Sequence, residues 1–242
     1  MKFLYFDEVD STQDVVKELT QAKVTEPVWV RAGNQTKGRG RRGREWVPKK
    51  GNLYASGLYP WAADPGLKPL SSFVVALALA QTLEHYIDPD LIRLKWPNDV
   101  LVGGAKIAGI LLEAGEGWLI IGVGLNLLGH PEDAPYPVTH LLEHIPETQL
   151  NTPEPIFAGP EPVLAQLAHF VTDGLNALQS GGFASIRQEW LARAARLGET
   201  ITVNLEGEQI TGRFETLGEN GALRLRLANG TLQDIVAGDV LL

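Results

Sequence analysis

The chain has 242 residues and no cysteine, which excludes a disulfide framework, a thiolate metal site and a cysteine nucleophile. Its composition, 44% hydrophobic and 21% charged, is that of a soluble globular protein, and a net charge of -8 argues against nucleic-acid binding over the whole surface. The N-terminus turns acidic after Phe6 and lacks the apolar core of a secretory signal, and the longest apolar run, "FVVALALA" at 73–80, is far short of the ~20 residues of a membrane span. A reducing, cytoplasmic location with no membrane partner is expected.

In chain order, "FLYFDEVD" (3–10) predicts a strand, and Ser11 before "TQDVVKELTQ", with Asp14 three residues on, predicts a capping-box-like helix start. "VWVRA" (28–32) and "NLYASGLYP" (52–60) predict strands on either side of a basic, glycine-rich loop. "SSFVVALALAQTLEHY" (71–86) is apolar nearly all round, as a buried helix is, with Ser71 or Ser72 expected to cap it. "LIRLKW", "DVLV", "AKIAGILLEA" and "WLIIGVGLN" predict four strands, and Gly103-Gly104 is a hairpin signal. Consecutive hairpins point to an antiparallel or mixed sheet, so the class is α+β.

Residues 129–162 hold eight of the chain's 15 prolines and predict an extended surface loop. Helices are expected at 162–179 and 183–196. From residue 199, short strands broken by Glu206-Gly207, Asn220-Gly221 and Asn229-Gly230 predict a small β-barrel. The division is thus 1–196 and 197–242.

The oddest stretch is "KGRGRRGR" (37–44): residues 37–50 hold seven of the chain's 21 Lys and Arg. A solvated turn is the plain alternative, but flanking strands make the loop part of the fold. Glycines at 38, 40 and 43 let backbone approach a ligand, and arginines supply forked donors for phosphate or carboxylate. Charge concentrated on one loop favours a small anion over nucleic acid. "KWPND" (95–99) is either a simple turn or part of a site, and Lys106 interrupts an apolar strand. "GVGLN" (122–126) would let a flat ring lie against backbone, with Asn126 at its edge. There is no phosphate-loop motif and no serine elbow, and the pair His140 and His144 in "THLLEH" is set aside as a metal site.

The series "DST" (10–12), "QTKGRGRRGREW" (35–46), "NLYASGL" (52–58), "KWPND" (95–99), "KIAGILLE" (106–113) and "GVGLN" (122–126) resembles the catalytic domain of biotin protein ligases. The C-terminal barrel, SH3-like in that family, fits the same plan. The resemblance implies attack of biotin's carboxylate on the α-phosphorus of ATP with Mg²⁺, then transfer from biotinyl-5′-AMP to a lysine of a biotin carboxyl carrier domain. It implies that Ser11, Thr12, Gln13 and Gln35 hold biotin's ureido ring, with Gln13 standing where the family usually has Asn. Arg39, Gly40 and Arg41 would fold over biotin and the acyl phosphate, with Arg39, Arg41 and Lys106 as the catalytic cations. Lys106 would contact carboxylate and α-phosphate. Trp46, Asn98, Asp99 and Asn126 would lie on the nucleotide side, and no residue is assigned to the metal. No N-terminal DNA-binding domain is expected, and a homodimer is left open. The rivals are a lipoate ligase, a nucleic-acid-binding module and a catalytically dead biotin sensor; the first lacks the "GRGRRGR" and "KWPND" pattern.

Overall fold

Strand β1 (Lys2–Val9), helix α1 (Thr12–Leu19) and strand β2 (Val28–Gln35) open the fold in a computed structural model that describes residues 1–22, 24–150, 152 and 156–241. β1 and β2 pair in parallel, with Val9 opposite Gln35, so α1 is the crossover between them. The turn after β1 and the end of β2 therefore come side by side.

The other strands run antiparallel to their neighbours. β3 (Leu53–Pro60) pairs with β2; helix α2 (Ser71–Leu83) follows it. Then come β4 (Ile92–Lys95), β5 (Asp99–Val102), β6 (Ala105–Gly115) and β7 (Trp118–Leu125). They complete one seven-stranded mixed sheet in the order β1-β2-β3-β7-β6-β5-β4. Gly103 and Gly104, at φ 58° and 84°, make the two-residue turn between β5 and β6.

Strand alternation gives the sheet two unlike faces. Leu53, Ala55 and Tyr59 of β3 and Leu119, Ile121, Val123 and Leu125 of β7 belong to the main core. Leu58 and Ile120 point the other way and join Val16 of α1 and Val30 in a small second cluster. Ser56, Gly122 and Gly124 share the parity of Leu58 and Ile120, so the face beside α1 is left small and polar. That is where a site can form.

The core face is covered by α2 and α4 (Pro160–Gly181), with α5 (Ala184–Ala192) packed against both helices; between β7 and α4 lies the one-turn helix α3 (Glu147–Leu150). Residues 65–83 are apolar and long enough to cross a membrane, yet most of that stretch is buried inside the fold. Neither Ser71 nor Ser72 caps α2. A 3₁₀ turn at Pro65–Leu70 runs straight into the helix, and the Ser72 hydroxyl instead donates to the Pro97 carbonyl at 2.9 Å. The last helix is shorter than expected because residues 193–195 leave it to bond with Leu94 of β4, at 2.9 and 2.8 Å. The proline-rich segment is largely irregular, with a 3₁₀ turn at Leu141–Glu143 besides α3; its residues 151 and 153–155 lie outside the described residues.

Strands β8 (Thr200–Asn204), β9 (Gln209–Leu217), β10 (Leu223–Arg226), β11 (Leu232–Ile235) and β12 (Asp239–Val240) form a separate antiparallel sheet in the order β11-β10-β9-β8-β12. The Trp96 indole donates to the Gly221 carbonyl at 3.1 Å and ties the two sheets together. Trp190 of α5, 1% exposed, meets Phe73 of α2 edge-on at 5.5 Å. Trp190→Ala should cost about 3–5 kcal/mol, read as a lower urea midpoint with an unchanged slope.

Candidate active site

The parallel crossover brings Thr12 and Gln35 together. The Thr12 backbone N–H and hydroxyl both donate to Gln35 Oε1, at 2.8 and 3.0 Å. Ser56, projecting from β3 on the same face, is 2.8 Å from the Thr12 hydroxyl and donates to Gln13 Oε1 at 2.9 Å. All four side chains are buried. Gln35 Oε1 and Gln13 Oε1 are thus both taken, and both side chains line the cleft. Gln13 Nε2 has no partner among the described residues. A buried donor left unpaired costs about 1–3 kcal/mol, so stability is forgone where a ligand acceptor would restore it.

The expected capping box at Ser11 does not form. Ser11 occupies the N-cap position of α1, but its hydroxyl accepts no bond from the first turn, and Asp14 pairs with Arg39 at 2.6 Å. Ser11 instead lines the cleft.

The basic loop is a short hairpin. Gly38 and Trp46, Arg39 and Glu45, and Gly40 and Arg44 face one another, with Trp46 N to Gly38 O at 3.0 Å and Gly40 N to Arg44 O at 2.7 Å. Arg42, at φ 55°, and Gly43, at φ 72°, turn the tip in the left-handed region. Most of its charges have acidic partners: Lys37 with Asp10 at 2.8 Å, and Arg44 and Arg42 with Asp239 at 2.5 and 3.6 Å. Exposed pairs of this kind contribute only about 0–1 kcal/mol each, so the backbone ladder does most of the holding. Arg41 differs. Its guanidinium is half-buried, donates to the neutral Asn98 Oδ1 at 3.1 Å and makes no ion pair among the described residues. Burial pushes its pKa down from the ordinary arginine value. Asn98 is itself fixed, donating to the Ile110 carbonyl at 2.8 Å and accepting from Ile110 N at 3.0 Å through its backbone. It positions Arg41.

Trp46 returns under the hairpin and lies flat on the sheet. A side-chain carbon at Gly124 would come within 2.4 Å of its indole, and one at Gly109 within 2.9 Å. The ring that these glycines admit is the protein's own. Lys106 projects from β6 between two aromatic faces, 5.6 Å from the Trp46 ring and 5.5 Å from that of Tyr136. Its ammonium is 2.7 Å from Asp99 Oδ1, while Lys95 is 3.5 Å from Asp99 Oδ2. Burial lowers the pKa of Lys95, which is only partly offset by Asp99.

These residues line one cleft with about 730 Å³ of empty space, part of it open to solvent. It gathers every residue expected from the sequence except Asn126. Across Trp46 and Lys106 lies a second cleft, walled by residues 131–136 and Val138, and Asn126 belongs to it. The Asn126 amide is already engaged, donating to the Thr139 carbonyl at 3.0 Å and accepting from Asn52 at 3.3 Å. Ser56, Asn52, Tyr136 and Asp239 were missed in the sequence. Ser56 and Asn52 lie within the "NLYASGL" strand and carried a weak polar signal, whereas Asp239 and Tyr136 arrive from segments that only the tertiary fold brings near.

Residues 5–126 match the sequence model of the biotin/lipoate A/B protein ligase family, and residues 197–242 that of the biotin protein ligase C-terminal domain. The chain is 40% identical over 206 residues to the biotin–[acetyl-CoA-carboxylase] ligase of Paracoccus denitrificans, covering 82% of this chain and 83% of that one. It is 28% identical over 245 residues to the bifunctional ligase/repressor BirA of Bacillus subtilis, covering 98% of this chain and 73% of the relative. The biotin protein ligase from Aquifex aeolicus, solved in complex with biotin and ATP, superposes with a TM-score of 0.79 at 27% identity, covering 99% of this chain and 97% of that one. The chain belongs to the biotin/lipoate A/B protein ligase family, in its biotin protein ligase branch.

The Asp239 pairing links the C-terminal sheet to the hairpin. Burial raises the Asp239 carboxyl, but the Arg44 hydrogen bond and the charges of Arg44, Arg41 and Arg42 outweigh it and lower the pKa. The pairing therefore stands at neutral pH and through the ordinary aspartate range of about 3.9, and is lost as pH falls through the lowered value. Asp239→Asn should raise tryptic cleavage within 37–50 several-fold at neutral pH with unchanged circular dichroism. Unchanged cleavage would leave the ladder alone as the restraint.

Proposed function

We propose that the protein activates biotin with ATP as biotinyl-5′-AMP and passes the biotinyl group to one lysine of a biotin carboxyl carrier domain, with residues 1–196 as the catalytic unit and 197–242 as an accessory barrel. The observation that carries this reading is Arg41, a half-buried cation with no ion pair among the described residues, lining the same cleft as Lys106. A single anionic centre placed between them would satisfy both.

In this reading the ureido ring sits at the Thr12–Gln35 end. Its carbonyl would accept from Gln13 Nε2 and Gln35 Nε2, and its N–H groups would donate to the Ser11 and Thr12 hydroxyls. The valeryl chain runs along Trp46 and brings the carboxylate to Lys106. ATP enters the second cleft, with adenine beside Asn126 and the α-phosphate at the junction of the two clefts. The carboxylate oxygen then displaces pyrophosphate from the α-phosphorus. Such a displacement needs in-line positioning and neutralisation of charge on the equatorial oxygens. Lys106, held by Asp99, and Arg41, held by Asn98, supply that field, with Arg39 and Gly40 closing the hairpin above it.

Of the carboxylates lining the first cleft, Asp99 and Asp239 are paired with Lys or Arg, and Glu45 is exposed and makes no ion pair among the described residues. Glu45, which lines both clefts, and Glu132 and Asp133 of the second would suit a magnesium ion that arrives on the triphosphate and keeps phosphate and water as its other ligands. It would shield phosphate charge. In the second half-reaction the carrier's lysine amine attacks the acyl carbon and AMP leaves; a mixed anhydride needs no protein nucleophile.

Incubation with biotin, Mg-ATP and an apo biotin carboxyl carrier domain should add one biotinyl group to the carrier by mass spectrometry. Acceptance of lipoate instead, with no biotin transferred, would overturn the assignment. Lys106→Ala should slow adenylate formation by about 10²–10³-fold while changing biotin affinity far less, measured by pyrophosphate release and calorimetry. Arg41→Gly should form the adenylate but release it into solution, because the hairpin no longer seals the acyl phosphate from water.

A further inference from the structure

We propose that His130, His140 and Glu143 form a binding site for a divalent transition cation of the zinc class, which clips together the two ends of the segment that walls the second cleft.

His130 Nδ1 and His140 Nδ1 are 3.0 Å apart, His140 Nδ1 is 3.3 Å from Glu143 Oε1, and His130 Nδ1 is 3.9 Å from that same oxygen. Ligands about 2.0–2.1 Å from a tetrahedral zinc ion stand roughly 3.3–3.4 Å from one another. The three separations bracket that edge length. Two imidazole nitrogens and a carboxylate oxygen are also a donor set that zinc accepts, with one position left for water. Without a cation the arrangement is poorly matched: the one proton between the two Nδ1 atoms serves one of the three gaps, and Glu143 Oε1 makes no hydrogen bond to either ring. A divalent cation would serve all three at once.

The ligands are also held in place beforehand. His140 is the extended N-cap residue of the 3₁₀ turn that ends at Glu143, so the two ligands stand at the two ends of one short turn. The Thr139 hydroxyl donates to Glu143 Oε2, so Oε1 is the oxygen left to face the imidazoles, and His144 Nε2 lies 2.8 Å from that hydroxyl. Bonds of this outer kind fix ligand orientation and commonly change metal affinity by about 10–100-fold. The backbone on either side is pinned by two buried asparagines. Asn52 Oδ1 accepts from the N–H groups of Leu127, Leu128 and Gly129, and Asn52 Nδ2 donates to the Gly129 carbonyl at 2.8 Å. Asn126 Nδ2 donates to the Thr139 carbonyl at 3.0 Å, and Leu141 N bonds to Asn126 O at 3.0 Å. His130 follows the first anchor and His140 follows the second. The intervening residues 131–136 and Val138 wall the second cleft, so a cation at the histidines closes the wall at its base.

The test uses the full chain, stripped with chelator, dialysed and titrated calorimetrically with Zn²⁺ in excess Mg²⁺. One Zn²⁺ per chain should bind with a dissociation constant on the order of micromolar or tighter, and Co²⁺ in its place should give visible d–d bands of low coordination number. Glu143→Gln should weaken Zn²⁺ binding by about tenfold or more, and the double substitution His130→Gln with His140→Gln should remove the site. His169→Gln, whose imidazole lies 3.4 Å from Asp173 elsewhere on α4, should leave it unchanged. Absence of Zn²⁺ binding tighter than millimolar in the wild type, or binding untouched by the Glu143 and double-histidine variants, would overturn the proposal. The wild-type Co²⁺ spectrum decides the matter should a variant misfold.

Discussion

The parallel pairing of β1 with β2 is the constraint on which the site depends. It sets Val9 opposite Gln35 and so delivers the first turn of α1 to the end of β2. The two bonds from Thr12 to Gln35 Oε1 follow from that register. A shift of one residue would turn Gln35 to the other face of the sheet. Ser56 and Gln13 then complete a buried network in which both amide oxygens are used. Polar groups buried this way are costly unless fully paired, and Gln13 Nε2, which lacks a partner among the described residues, belongs to a side chain that lines the cleft.

A second constraint is steric. Trp46 lies on Gly109 and Gly124, and Gln13 lies over Gly122, so three glycines on adjacent strands keep one face of the sheet bare enough for a cleft. Trp46 divides the space in two, and Lys106 stands at the division, between the Trp46 and Tyr136 rings. Most charges on the hairpin are matched at the surface by Asp10, Asp14 and Asp239. Arg41 makes its hydrogen bond to an amide, and among the described residues it feels Asp239 and Asp99 only through space, without an ion pair. The C-terminal sheet reaches the site through Asp239, giving that small unit a physical connection to the hairpin.

Much of this was legible in the residues. Period-two alternation in "NLYASGLYP" and "WLIIGVGLN", and the Gly-Gly turn between β5 and β6, gave the strands close to their observed limits because buried alternating strands have little freedom to be anything else. Ser11, Thr12, Gln13, Gln35, Arg41 and Lys106 were expected together and do line one cleft. Local capping signals misled at both helix starts: Ser11 and Asp14 serve the cleft and Arg39, and a 3₁₀ turn precedes Ser71. Tertiary partners outweigh a cap that contributes about 1 kcal/mol. The flat ring expected against "GVGLN" is Trp46, about 80 residues away in the chain, and Asp239 is farther still. The histidine pair set aside in the sequence was His140 with His144; the imidazole that His140 meets is that of His130, because Asn52 and Asn126 fold the segment back on itself. Pairings over such separations leave no periodic trace.

The central claim is that one ligand runs through both clefts, ureido ring at the Thr12–Gln35 end and adenine beyond Trp46. A crystal structure with a non-hydrolysable biotinyl-AMP analogue tests it most directly. The account predicts the ureido oxygen within hydrogen-bonding distance of Gln13 Nε2 or Gln35 Nε2, the phosphate between Arg41 and Lys106, and adenine beside Asn126. Density for the analogue in the reverse direction, with adenine against Gln13, or outside these clefts, would contradict it.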